Sequence, residues 1–114
     1  MMKIINKTRN TILAENASLA DTCLKRLKGL LGRKQLKRGE ALVIKPCSSI
    51  HTFFMRFAID TLFIDKEGRV VALKKRLRPW RMTPVYWKAD LVIELPAGVI
   101  DEASTGFGDE VRLS

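Results

Sequence analysis

The sequence predicts an α+β fold, in which a small antiparallel or mixed β-sheet curls toward a barrel and packs with one main helix. Six or seven short β-rich runs, one stretch of helical periodicity and several sequential hairpin signals support this class. The chain has 114 residues, of which 46% are hydrophobic and 29% charged. This length and composition suit one globular core, so we expect a single domain over residues 1–114.

The first predicted elements are a β-ribbon and the helix. Residues 3–15 contain two β-rich runs, with a turn at residues 6–10. Ser18 or Asp21 can then cap a helix, because a short side-chain oxygen accepts the free amides of a first turn. The helix is predicted from one apolar stripe at helical spacing, formed by Leu24, Leu27, Leu30 and Leu31.

The later elements are mostly strands. Branched and apolar runs predict them at residues 41–44, 59–64, 70–73, 91–95 and 111–113. A hairpin turn is expected at residues 65–68, which end in glycine. A short helix or turn is expected from Pro96 to Glu102.

The charge is strongly positive and unevenly distributed. The net charge is +9, and residues 1–88 carry 20 Lys/Arg against 6 Asp/Glu, whereas residues 89–114 carry one cation against six acids. A basic body attracts nucleic acid, acidic proteins or an anionic membrane surface. No apolar run approaches about 18 residues, so no transmembrane helix is predicted. The N-terminal apolar stretch is too short for a signal peptide, which predicts a cytoplasmic protein.

Residues 74–88 combine cations with large aromatic side chains. The segment contains six Lys/Arg and three aromatic residues, with no acid. Arginine can contact phosphates while tryptophan stacks on bases, so the segment is a candidate nucleic-acid surface. Its candidate binding residues are Arg78, Trp80, Arg81 and Trp87. An acidic protein, a membrane surface or a plain solvated loop would also suit this composition.

Three residues with soft or borderline ligand atoms are spaced by four. Cys47, His51 and Met55 would share one face of a helix or of a strand, and their ligand types suit Cu(I). Cys47 with His51 could instead form the nucleophilic pair of a small enzyme. The simpler interpretation is a packed thiol, a hydrogen-bonded histidine and a core methionine. Nucleotide-binding and hydrolase motifs are absent from the sequence, so nothing names a nucleotide cofactor, and the cofactor, if any, is unknown.

Asp60 lies in an otherwise apolar run, where a carboxylate needs a partner. Arg56, four residues earlier, could form an ion pair with Asp60, or Asp60 could cap exposed backbone amides. The alternative is a carboxylate at the floor of a binding cleft. Glu94, in another apolar run, raises the same question.

A long central segment resembles a known family. Residues 47–71, CSSIHTFFMRFAIDTLFIDKEGRVV, are similar to the core signature of domain-of-unknown-function family 192. Three shorter pieces fit the same pattern: GLLGR at 29–33, VIELPAG at 92–98 and GD at 108–109. Ala58 departs from the proline that similar members carry. The resemblance covers residues 20–112 and implies a small α+β fold with a prominent sheet, but no activity.

The leading hypothesis is a small non-enzymatic binding domain for an anionic partner, either RNA or an acidic protein. Its expected cleft lies near Cys47, His51, Met55 and Asp60, beside the segment 74–88. One alternative is a soft-metal-binding protein that uses Cys47, His51 and Met55. The other is a small enzyme that has either Cys47 with His51 or Asp60 in a cleft.

Overall fold

The computed structural model describes residues 2–20 and 35–114, and within them it shows seven strands and one short helix. In chain order these are β1 Met2–Asn6, β2 Thr11–Ala20, β3 Glu40–Ile44, β4 Ile59–Ile64, β5 Val70–Leu77, β6 Leu91–Pro96, α1 Val99–Glu102 and β7 Val111–Leu113. The strands form one sheet in the order β5-β4-β6-β3-β2-β1-β7. Strands β2 and β3 are parallel, and every other neighbouring pair is antiparallel.

The predicted α+β class is wrong, because the protein is mostly β. Over residues 2–20 and 35–114 its helix α1 has only four residues, so the sheet does not pack with one main helix there. The predicted helix around Leu24–Leu31 lies outside the described residues. Ser18, considered as the cap of that helix, is instead part of β2 and pairs with Leu42 of β3. Ladder hydrogen bonds on both sides of β2 outweigh the local capping preference of a serine.

The two edge strands of the sheet, β5 and β7, are joined by backbone hydrogen bonds near one end, so the sheet is curled. The N–H groups of Val70, Gly108 and Val111 donate to the carbonyls of Asp109, Val70 and Gly68 at 2.9, 2.8 and 2.8 Å. Gly68 has a φ of +84°, and a Cβ on it would lie 3.1 Å from the Val111 carbonyl oxygen. The junction therefore needs a glycine for both conformation and space.

A buried polar cluster stands beside this junction. The Asn6 side chain donates to Thr105 Oγ1 at 2.8 Å and to Asp109 Oδ2 at 3.0 Å. The Gly106 N–H donates to the same carboxylate oxygen at 2.9 Å, and Arg9 Nε lies 3.5 Å from it. Burial alone raises the pKa of Asp109, but these hydrogen bonds and the Arg9 charge outweigh it and hold that pKa below its ordinary value.

Alternation along the strands gives the sheet two apolar faces. One face carries the larger core, to which Ala41 and Val43 of β3 contribute with residues of β1, β7 and α1. Leu42 and Ile44 face the second core, which also contains Phe63 of β4. None of the helices in the described ranges is long and apolar enough to cross a membrane. The loops that cover the second core carry the candidate site.

Candidate functional site

Two loops pair with each other over the second core, residues 47–58 and residues 78–90, which we call the paired loops. They run antiparallel and are joined by backbone hydrogen bonds of 2.8 to 3.1 Å, from the N–H groups of Cys47, Thr52, Thr83 and Tyr86 to the carbonyls of Asp90, Arg81, Ile50 and Ser48. The Tyr86 ring packs on Phe63 of β4, with ring centroids 4.5 Å apart. The paired loops are therefore anchored to the sheet.

Thr52 is the central anchor of the paired loops. It is fully buried. Its hydroxyl donates to the Arg78 carbonyl at 2.6 Å and accepts the Arg81 N–H at 2.9 Å. Its carbonyl accepts the N–H groups of Trp80 at 2.9 Å and Met55 at 3.2 Å. One buried threonine thus fixes the turns of both loops.

These turns hold a row of aromatic side chains at the surface. His51 stacks on Phe53 with centroids 4.8 Å apart, and Phe53 stacks on Trp80 at 5.9 Å. Phe54 meets Trp80 at 4.7 Å and a tilt of 59°. We call His51, Phe53, Trp80 and Phe54 the aromatic row. Phe54 and Trp80 are 65% and 55% exposed, so the row ends in solvent rather than in the core.

The two most exposed rings of the row stand on strained backbone. Phe54 has a φ of 67° and Trp80 a φ of 63°. The left-handed region costs a residue with a Cβ roughly 1–2 kcal/mol, and bulky residues rarely adopt it. The hydrogen bonds of Thr52 hold the chain in this state. Such outliers concentrate at functional sites, which makes the aromatic row the leading candidate.

Cations surround the aromatic row. Arg56, Arg78 and Arg81 are exposed, and none of their guanidinium groups forms an ion pair within residues 2–20 and 35–114. Lys75 differs, because its ammonium lies 2.7 Å from Asp101. That hydrogen bond lowers the pKa of Asp101. The arginines of the paired loops thus keep their charge available for an external anion.

A second exposed aromatic lies farther along the same loop. Trp87 is 87% exposed. It borders two shallow depressions of about 340 and 130 Å³, which together we call the Trp87 groove. The groove is lined by Asp65, Lys66, Glu67, Val71, Tyr86, Trp87, Lys88 and Ala89.

Asp60 caps backbone amides. It is 1% exposed. Its Oδ1 accepts the Arg76 N–H at 2.8 Å, and its Oδ2 accepts those of Gly98 and Ile100 at 3.0 and 2.9 Å. The carboxylate therefore joins the end of β5 to the start of α1. Arg56 forms no ion pair with it in the described part of the chain, and a cleft that reaches Asp60 stays a prediction.

The three predicted soft ligands lie in different settings. The Cys47 thiol donates to the Ser49 carbonyl at 3.0 Å. Met55 is buried in the second core, against which Cys47 packs. His51 belongs to the aromatic row, and its Nδ1 accepts the Phe53 N–H at 3.3 Å. No group of three or more His, Cys, Asp or Glu in the described ranges could hold a metal ion. The metal-binding and enzymatic alternatives remain predictions.

Family comparison agrees with the signature quoted above. The model of domain-of-unknown-function family 192, described as "Uncharacterized ACR", matches residues 4–113. The chain belongs to this family. A UPF0127 protein of Thermococcus sibiricus is 37% identical over 112 residues, which are 95% of this chain and 72% of the relative. The UPF0127 protein of Pyrococcus horikoshii is 33% identical over 96% of both chains.

Two solved structures share the fold. A protein of unknown function from Novosphingobium aromaticivorans superposes with a TM-score of 0.81 at 19% identity, covering 97% of this chain and 82% of the other. A proposed transcription regulator from Sinorhizobium meliloti gives a TM-score of 0.80 at 18% identity, covering 97% and 90%. At these identities the likeness concerns the fold alone. These two proteins therefore share the curled sheet described here.

Sequence reasoning named half of the aromatic row and missed the rest. The sequence patterns predict Trp80 and His51 as candidate site residues. Phe53 and Phe54 occur there only as part of the family signature. Thr52 was missed because a single threonine carries no pattern. The one available signal for Thr52, Phe53 and Phe54 was their position in the sequence, between the candidate residues His51 and Met55.

Proposed function

We propose that this domain binds single-stranded RNA through the aromatic row and the neighbouring arginines, without changing the RNA chemically. The observation that supports this most is the pair of exposed rings, Phe54 and Trp80, held on strained backbone by buried Thr52. A cytoplasmic location is part of the same proposal.

The geometry of the row favours stacking on its outer faces. Neighbouring rings are 4.7 to 5.9 Å apart, which leaves no space for a base between them. The exposed faces of Phe54 and Trp80 remain open to a base. Stacking of a base on an aromatic side chain contributes about 1–3 kcal/mol and tolerates any base, since each base has a π-face.

The arginines supply the phosphate contacts. Three released counterions, one for each of Arg56, Arg78 and Arg81, give a slope of log affinity against log salt of about −2 for a single strand. Affinity should then fall about 20-fold between about 50 and 200 mM salt. A loop whose cations are merely solvated would show no such dependence.

Fluorescence anisotropy with a labelled single-stranded RNA of about 12 nucleotides tests the proposal. Trp80→Ala should weaken binding about 5- to 100-fold, and Arg78→Ala should weaken it and make the salt slope shallower. Phe107→Ala and Arg112→Ala are matched controls. Phe107 is a 78% exposed ring in the turn before β7, and Arg112 is an exposed cation on β7. Both controls should bind like the parent.

Three results would overturn the proposal: no RNA binding at about 50 mM salt, binding that salt does not change, or control variants that lose as much affinity as the Trp80 variant. A polyglutamate peptide in the same assay separates the two anionic partners. Tight binding of that peptide without RNA binding would reject RNA and make an acidic protein the partner. The exposed Met82 and Val85 would then serve as its apolar contacts.

A further inference from the structure

We infer that the bound strand runs along the loop 78–90 from the aromatic row to a second stacking position at Trp87. This inference rests on the proposed function and specifies its ligand, an extended single strand of several nucleotides rather than a mononucleotide or a duplex. It assigns the Trp87 groove to one base and its neighbouring phosphate.

The two positions lie at opposite ends of strand β4. Trp80 follows Leu77, which pairs with Ile59 at the beginning of β4. Trp87 lines a groove with Asp65, the residue that follows the end of β4. Strands rise about 3.3 Å per residue, so the five steps of β4 span about 17 Å, which we take as the length that the bound strand must cover. A fully stacked strand rises about 3.4 Å per nucleotide, so at most about five nucleotides bridge this distance, and fewer where the strand is extended.

The loop between the two indoles presents a continuous outer surface. Thr83 is buried and Tyr86 packs on the sheet, so these residues face inward. Met82, at 70% exposure, and Val85, at 44%, face solvent between the two tryptophans. Exposed apolar side chains at these points can cover the faces of unstacked bases, which carry no charge. An extended single strand fits such a surface better than a duplex, whose bases are hidden.

The lining of the Trp87 groove carries two cations and two carboxylates. Lys66 and Lys88 line the groove and can meet the anion. Asp65 keeps its negative charge, although its Oδ1 accepts the N–H groups of Glu67 and Arg69 at 2.9 Å each. The carboxylate of Glu67 also lines the groove and would repel a phosphate there. Removing this charge should therefore strengthen binding at this position alone.

RNA length separates the two positions experimentally. We would measure anisotropy with single strands of about 3 and about 10 nucleotides, within and beyond the span worked out above. Trp80→Ala should weaken the binding of both. Trp87→Ala should weaken only the longer strand, about 5- to 100-fold. Glu67→Gln should strengthen only the longer strand, and Phe107→Ala should change neither.

Each failure has a distinct meaning. If Trp80→Ala reduces affinity but Trp87→Ala leaves the longer strand unaffected, the second position is rejected and the proposed function stands. The second position is also rejected if Trp87→Ala lowers the affinity for both RNA lengths equally. The same holds if duplex RNA binds as tightly as the single strand. If the parent binds neither RNA, the proposed function itself fails. Trp87 is 87% exposed, so its substitution should leave the fold intact.

Discussion

Replacing Asp60 with asparagine separates a scaffold role for this carboxylate from a role in binding or catalysis. The carboxylate is buried and accepts one N–H on Oδ1 and two on Oδ2. If the asparagine carbonyl takes the place of Oδ2, it keeps the bonds from Gly98 and Ile100. Its amide group then faces the Arg76 N–H, so one bond is lost and two donors oppose each other.

The cost of Asp60→Asn follows from these contacts. A hydrogen bond to a charged group contributes about 1.5–3 kcal/mol, and an orphaned buried donor costs about 1–3 kcal/mol. The two retained bonds also weaken when their acceptor becomes neutral. We therefore expect the free energy of unfolding to fall by about 2–4 kcal/mol, measured by urea denaturation with the slope m compared between variants.

Asp65→Asn is the matched control. A single oxygen of Asp65 accepts both of its backbone N–H groups, at 2.9 Å each, so an asparagine carbonyl can keep both bonds at the surface. Its unfolding free energy should stay within about 0.5 kcal/mol of the parent. A stable Asp60→Asn protein, or equal losses in the two variants, would refute the reasoning. If Asp60→Asn leaves the free energy of unfolding unchanged but abolishes RNA binding, Asp60 belongs to the binding site.

Two further measurements test the junction of the sheet ends. Gly68 and Gly39 both have positive φ, 84° and 86°, but only at Gly68 would a Cβ approach backbone, the Val111 carbonyl at 3.1 Å. Gly39→Ala should thus lower the free energy of unfolding by about 1–2 kcal/mol through conformation alone. Gly68→Ala should lower the melting temperature more than Gly39→Ala does. Equal shifts in melting temperature would contradict a tight junction. Because the pKa of Asp109 is below its ordinary value, the carboxylate stabilises the fold at neutral pH and this contribution is lost as pH falls below about 4. Asp109→Asn should flatten the decline in unfolding free energy between about pH 5 and pH 3, and an unchanged slope would count against the buried cluster.

The sequence predicts most strands correctly but not their length. The run at residues 59–64 matches β4, because six consecutive buried residues leave a clear apolar signal. Strand β5 continues from Leu73 to Leu77 through the polar residues Lys74 to Arg76. The Arg76 N–H bond to Asp60 supports this extension, and such a contact between distant residues is invisible in a local pattern.

The residue types of the candidate site can be predicted from the sequence, but their arrangement cannot. Arg78, Trp80, Arg81 and Trp87 were singled out, and all four are exposed. The contact of Phe54 with Trp80 depends on the left-handed turns that Thr52 stabilises, and no propensity favours them for aromatic residues. Ser18 is not the cap of a helix for a related reason, because pairing with Leu42 of β3 decides the local structure there.

The position of β1 has a consequence for synthesis on the ribosome. β1 pairs with β7, and Asn6 bonds to Thr105 and Asp109, which lie 99 and 103 residues later in the chain. At roughly 5–20 residues per second, translation of about 100 residues takes about 5–20 s. During this interval one edge of the first hairpin has no strand beside it, and an open edge attracts other chains. The nascent protein therefore carries an open sheet edge, and the associated risk of aggregation, until β7 is available to pair with β1.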